Sequence, residues 1–371
     1  MSVAVVGAAE CDLGRTGRSA QHLLAQGVGR ALDDAGLSPC DVDGLATTGL
    51  GRFPATQLAD QLGIRPAWTD STAAGGAVFE MYVARAAQAI EAGQCSVVVI
   101  AYASNQRSAR SRSIGGAYDP ATPEAQFEQP YQPLWPLSYY ALLAQRYLHT
   151  YALDRSDLAS IAVRARAYAR LNPAAFRYAE PPLTVDDVLG APMVSSPLGV
   201  LDCCLVTDGG GAIVLTSAAR ARHLRREPVL VLGYGEAVTH SAMASPDDLL
   251  ATGAAEAGAR AYARAALGPA DVDVAQIYDA ATVSVPLALE QLGFCAPGEG
   301  TAFTGVPVNT TGGGLSYCHP GQLGVLLLVE AVRQLRGECG ARQVAGARTA
   351  LVHGIGGIGS SHATVLLGVR P

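Results

Sequence analysis

Three segments of this chain carry residues whose types and spacing could do chemistry. Asp70-Ser71-Thr72-Ala73-Ala74-Gly75-Gly76-Ala77-Val78-Phe79 reads as a turn that presents a nucleophile at the head of a helix, yet it holds no cysteine. Ile277-Tyr278-Asp279-Ala280-Ala281-Thr282 reads as a second catalytic loop, and the stretch from Asn309 to Gly324 as a third. Composition removes several mechanisms. All 26 basic residues are arginine. A lysine Schiff base and a P-loop lysine are therefore both excluded. The eight cysteines, Cys11, Cys40, Cys95, Cys203, Cys204, Cys295, Cys318 and Cys339, form no CxxC pair and no zinc-site spacing. They read as small buried hydrophobes in a reducing compartment. No carboxylate and histidine cluster for a divalent metal is evident. Net charge is −6, and the densest basic patch is Arg107, Arg110 and Arg112. That is too small for a nucleic-acid footprint. It reads either as a solvated loop or as a contact for an anionic phosphate.

The elements that must position these loops repeat. The first half opens with the strand-like Val3-Ala4-Val5-Val6-Gly7, a helix over Ala20 to Ala35, and Asp41-Val42-Asp43. The second opens with Val229-Leu230-Val231-Leu232-Gly233, a helix over Ala254 to Ala266, and Asp271-Val272-Asp273. Gly75-Gly76 and Gly313-Gly314 each precede a helical stretch and then an apolar strand, Ser96 to Ile100 and Thr349 to Val352. Continuous apolar strands suit a sheet covered on both faces. The reading is an α/β protein of two duplicated halves, 1–225 and 226–371, with an irregular insertion at about 104–195 in the first. Segment 118–140 of that insertion concentrates prolines and aromatics, and reads as a lid or a docking surface. Helices are expected over Ser138 to Tyr151 and Ser156 to Arg170. No apolar run approaches the roughly 18 residues of a membrane span. The N-terminus lacks signal-peptide features, and a soluble, cytoplasmic protein is expected.

Several motifs together resemble one superfamily. Asp208-Gly209-Gly210-Gly211-Ala212 before a strand looks like the DGGAA turn of thiolases. Asn309-Thr310-Thr311-Gly312-Gly313-Gly314 followed by His319-Pro320 looks like the thiolase NxxGG…GHP loop. Ile277 to Thr282 resembles the VHDCFT loop of sterol-carrier-protein thiolases, and Leu289 to Phe294 extends the match. The departures are specific. Thr72 stands where thiolases carry the nucleophilic cysteine, Tyr278 replaces the loop histidine, and Leu351 to Gly357 contains no cysteine. With Gly298-Glu299-Gly300 and Leu315 to Pro320, the chain looks most like the lipid-transfer-protein aldolases of steroid side-chain degradation.

That resemblance implies a thiolase fold with a layered α-β-α-β-α core. It implies a carbon–carbon lyase acting on a 3-hydroxyacyl-CoA, with no cofactor beyond the coenzyme A of the substrate and no metal. The expected reaction is retro-aldol cleavage of a bulky, steroid-like substrate to a ketone and propionyl-CoA through a thioester enolate. Tyr278, Tyr317 and His319 are the expected acid/base groups. Thr72, Gly313, Gly314, His353, Gly354 and Gly356 are expected to line the pocket or build the oxyanion hole. Asp279 is expected to orient backbone, and His362 to be structural. The expected partners are a second copy of the chain, paired through the strand Ser96 to Ile100, and a separate OB-fold protein of zinc-ribbon type forming a heterotetramer. The competing readings are a catalytically silent acyl-CoA-binding scaffold and a true thiolase using Cys318 or another thiol.

Overall fold

The computed structural model describes residues 2–111 and 119–369. Arg112 and the first residue of the aromatic segment, Tyr118, lie outside them. Nine strands form one large sheet: β1 (Val3–Glu10), β2 (Gly44–Thr47), β3 (Trp68–Asp70), β4 (Val97–Ser104), β5 (Gly209–Ser217), β6 (Val229–Val238), β7 (Val274–Ile277), β8 (Thr349–Gly356) and β9 (Ser361–Gly368). Their spatial order is β3-β2-β4-β5-β1-β6-β9-β8-β7. The sequence repeat is visible in this order. β2-β4-β5-β1 and β7-β8-β9-β6 share one pattern, a parallel pair followed by antiparallel pairs. The two groups meet where Ala4 pairs with Leu230 and Val5 with Val229. Even edge strand β3 has a remnant in the second group, a parallel bridge from Ala275 to Val308.

The main helices are α1 (Ala20–Ala35), α2 (Pro54–Leu62), α3 (Val78–Glu91), α4 (Leu137–Tyr151), α5 (Arg155–Ala169), α6 (Ala254–Ala265), α7 (Ser284–Gln291) and α8 (Gly324–Arg336). α1 packs on β1, β4 and β5, and α6 on β6 and β9. α3 and α8 each touch strands of both groups. They are therefore the middle layer of five, and both are buried along nearly their whole length. Glycine permits the close outer packing. A Cβ on Gly7 would lie 2.1 Å from the Ala31 carbonyl of α1, and one on Gly233 2.2 Å from the Ala261 carbonyl of α6.

The repeated Asp-Val-Asp has a physical reason. The first aspartate caps a 3-10 turn: Asp41 accepts from the Ser38 amide and Asp271 from the Gly268 amide. The second clamps the next apolar strand. Asp43 accepts from the Ser96 and Val97 amides, and Asp273 from those of Arg348 and Thr349. Four strand-end amides are satisfied by two side chains.

One expectation is corrected here. The strand expected to pair two protomers, β4, lies between β2 and β5. Both of its edges are already hydrogen-bonded, so the open edge on that side is β3. Among the described residues no helix is long and apolar enough to cross a membrane.

Candidate active site

The three loops picked out by their chemistry meet at one end of the second strand group. Tyr278 follows β7 directly, and its amide donates to the carbonyl of His353 on the neighbouring strand β8 (2.9 Å). Asn309 explains why the strand ends squarely there. In a left-handed conformation (φ 53°), its side chain accepts from the Ile277 amide (2.7 Å) and donates to the Ile277 carbonyl (2.8 Å). One amide side chain thus replaces a strand neighbour at the last residue of β7.

Tyr278 and His319 form the centre. The tyrosine hydroxyl lies 3.0 Å from His319 Nε2, and the rings meet edge to face at 5.6 Å. Both side chains are buried. The His319 backbone is pinned to Thr207, whose hydroxyl accepts from its amide (2.9 Å). Burial pushes the Tyr278 hydroxyl well above the ordinary phenol range, and nearby Tyr140, Cys204 and Tyr102 add to this. A free phenolate is therefore strongly disfavoured. Tyr278 is suited to pass a proton on to His319 rather than to hold a negative charge.

The pair opens onto a cavity of about 290 Å³ whose walls include Gly75, Gly76, Tyr140, Cys204, Gln322 and Gly356. It lies beyond the carboxyl ends of the parallel strands β7 and β8, where open α/β sheets commonly bind ligands. Gln106, Trp135, Pro136, Leu137 and Cys204 connect it to an outer cavity of about 610 Å³ that carries Arg15, Arg107 and Arg110. Asp208 of the glycine turn sets that outer wall. Its carboxylate accepts from the Ser108 and Thr16 amides, both at 2.8 Å, so the short helix bearing Gln106 and Arg107 is held in place. Arg107 is further fixed by a bond to the Val206 carbonyl (3.0 Å) and by stacking on Phe176 at 4.6 Å.

The structure distributes the other expected residues differently. Gly356 lines the cavity. Tyr317, expected beside Tyr278, is instead turned to β1, where its hydroxyl donates to Glu10 (3.1 Å) within an ion pair to Arg333. It does not face the cavity. Gly313 and Gly314, expected as oxyanion donors, serve internal acceptors. The Gly314 amide donates to Asp279 (2.6 Å) and the Gly313 amide to the Thr311 hydroxyl (3.2 Å). A Cβ on Gly313 would lie 2.2 Å from the Asp279 carboxylate, so its glycine admits that carboxylate. Asp279 orients this backbone turn, also accepting from Leu315 (3.2 Å), and burial raises its carboxyl to about 7.

Thr72 bends away from the cavity. Its hydroxyl donates to Asp70 (2.7 Å) and its carbonyl accepts from Tyr82 (2.6 Å). His353 faces sideways to β9, bonded to Thr364 (2.8 Å) and to His362 (3.1 Å), and burial holds it well below the usual histidine range. The Gly354 Cα is covered by the Glu80 carboxyl rather than by the cavity. Cys318, the candidate thiol for a thiolase reaction, is fully buried against Thr207 and raised to about 12.

Sequence reasoning left Gln106 and Gln322 unremarked, and nothing local distinguishes them. Tyr140 and Trp135 carried a signal as part of the aromatic insertion. Cys204 stood only among the eight cysteines, four residues before the glycine turn. Among the described residues, no three His, Cys, Asp or Glu side chains are grouped to hold a metal ion.

Comparison with known proteins agrees with this architecture. Residues 235–369 match the family model described as thiolase C-terminal domain-like. A 17-hydroxy-3-oxo-4-pregnene-20-carboxyl-CoA lyase of Mycobacterium tuberculosis is 35% identical over 94% of this chain and 95% of its own length. A steroid side-chain-cleaving aldolase of Thermomonospora curvata is 34% identical over 91% of this chain and 90% of its own. Among solved structures, the Ltp2-ChsH2(DUF35) aldolase aligns with a TM-score of 0.90 at 30% identity, covering 99% of this chain and 98% of that one. Human mitochondrial 3-ketoacyl-CoA thiolase shares the fold at a TM-score of 0.75 and 17% identity, over 100% and 99% of the two chains. With a thiolase layer order, a nucleophile turn without cysteine and full-length similarity to side-chain-cleaving enzymes, the chain belongs to the steroid side-chain aldolases, carbon–carbon lyases of the thiolase superfamily.

Proposed function

We propose that this protein cleaves a bulky, steroid-type 3-hydroxyacyl-CoA by a cofactor-independent retro-aldol reaction, giving a ketone and propionyl-CoA. The observation that carries this reading is the Tyr278–His319 pair in a cavity whose nucleophile turn has no cysteine. The substrate hydroxyl gives its proton to Tyr278 as the Tyr278 proton moves to His319 Nε2. The C2–C3 bond breaks, the C3 oxygen becomes the ketone, and the electron pair passes into the thioester enolate. The proton held by the pair returns to C2. One O–H and one C–C bond are broken; one C–H bond and one C=O π bond are made. No acyl group moves to the protein, so no thiol nucleophile is needed.

The enolate oxygen needs donors. The turn Gly75–Ala77 at the head of α3 and the Gly356-Gly357 backbone flank the cavity, and the helix dipole favours negative charge there. Trp135, Pro136 and Tyr140 supply an apolar wall for a ring system. Arg15, Arg107 and Arg110 suit the phosphates of coenzyme A in the outer cavity. The Ltp2-ChsH2(DUF35) complex supports a separate OB-fold partner of zinc-ribbon type, and the open edge at β3 supports a homodimer.

The test is to co-express the protein with such a partner and add a 17-hydroxy steroid bearing a three-carbon CoA side chain. The 17-ketone and propionyl-CoA should appear together by chromatography. Saturable binding without either product would reject the lyase reading in favour of a silent acyl-CoA scaffold. In the same assay, replacing Arg107 and Arg110 together by alanine should raise KM by about tenfold or more while kcat stays within about twofold. It should also flatten the dependence of KM on salt.

A further inference from the structure

One buried acid takes no part in the mechanism above. Glu80, in the first turn of α3, is 1% exposed, and among the described residues neither carboxyl oxygen has a hydrogen-bond partner from another residue. The niche that holds it is made by glycines. A Cβ on Gly354 of β8 would lie 2.1 Å from its Oε2, and one on Gly324, at the head of α8, would lie 2.9 Å from it. Gly324 in turn abuts the Gly76 carbonyl, and a Cβ on Gly76 would lie 2.1 Å from the Tyr278 ring. Glu80 therefore stands behind the wall that separates it from Tyr278, where segments 75–77, 323–324 and 353–356 meet.

Among the described residues no countercharge reaches it. On its own helix, Arg85 pairs with Asp70 and Glu236. On β8, His353 is bonded to Thr364 and His362. On α8, Glu330 and Arg333 sit further along, engaged with Arg342 and Glu10. Tyr278 and His319 lie across Gly76. An ionised carboxylate in such a site would bear the desolvation cost with no countercharge in return, so burial pushes the Glu80 carboxyl well above the ordinary carboxylate range, against a smaller opposing contribution from its own backbone amide.

We propose that Glu80 is a positioning residue for turnover. As a neutral acid it braces the cavity wall, and loss of its proton places a negative charge behind the site where the enolate must form, which sets the alkaline limit of the reaction. This rests on the retro-aldol reading. The sign follows from linkage. The folded protein holds this proton above the ordinary carboxylate range, so its contribution to stability is complete below that range and is lost as pH rises through the folded value.

The test is Glu80→Gln, which keeps the shape of the neutral acid. Below the wild-type alkaline limb its kcat should be within about threefold of wild type, and one pH unit above that limb about tenfold higher, with KM unchanged. Unfolding free energy, read in urea at each pH, should fall less with rising pH than in wild type. An unchanged alkaline limb, or a loss of kcat uniform across pH, would overturn the proposal. Should the glutamine variant fail to fold, Glu80→Met offers a neutral unbranched replacement with the same expected profile. The stability readout needs no substrate: a wild-type enzyme that cleaves nothing defeats the lyase reading, whereas identical pH–stability curves for variant and wild type defeat the assignment of Glu80.

Discussion

Tyr278→Phe is expected to lower kcat/KM by about 10²- to 10⁴-fold, the range associated with loss of a positioned acid/base group. That is about 3–5 kcal/mol of transition-state stabilisation. The ring, with its edge-to-face contact to His319 and its packing on Gly76, is retained. Only the hydroxyl bonded to His319 Nε2 is removed. Leaving that buried nitrogen without its partner costs about 1–3 kcal/mol of stability, so the variant should fold with a modestly lower Tm. Because the proton route is lost and the apolar wall is not, the deficit should fall on kcat with KM nearly unchanged. Steady-state cleavage with the partner protein present, beside a thermal melt, separates the two effects. Retention of wild-type turnover would remove Tyr278 from the proton path and leave His319 to act alone.

The fold class and the repeat of its strands were readable from the sequence where a local rule governs. The Asp-Val-Asp repeat is such a case, because a carboxylate that caps a turn and clamps two amides needs nothing from afar. Tyr278 was readable because it follows the strand β7 and replaces a motif histidine. What was not readable is which way neighbouring side chains turn. Tyr317 and His319 are two residues apart, yet one reaches Glu10 on β1 and the other reaches Tyr278. Their divergence depends on Glu10, which is far away in the chain, and on Arg333 of the following helix, which pairs with it. Thr72 has the correct spacing from Gly75, but Asp70, two residues back, captures its hydroxyl. Gly313 and Gly314 form the expected turn, but a buried Asp279 already uses the Gly314 amide. Glu80 looks in sequence like an ordinary exposed helix residue; only the glycines of two distant segments create its niche.

Gly76→Ala tests that architecture where the tolerance is smallest. The new methyl carbon would lie 2.1 Å from Tyr278 Cε2 and 2.5 Å from the Ile355 carbonyl, against backbone on one side and a buried ring on the other. The ring cannot stay where it is. Either Tyr278 swings away from His319, or the head of α3 moves off β8 and widens the cavity. Overpacking of this kind costs about 1–3 kcal/mol of stability, but the catalytic loss should be larger, about 10²-fold or more, because a displacement near 1 Å is enough to disrupt a reacting geometry. The decisive measurement is the double variant. If Gly76 acts by seating the Tyr278 hydroxyl, adding Gly76→Ala to Tyr278→Phe should lower kcat by less than about threefold, since both changes remove the same proton path. A full 10²-fold loss in the tyrosine-free background would mean that the Gly75–Ala77 turn contributes separately. Its amides at the head of α3 would then be the enolate donors whose placement the methyl group disturbs.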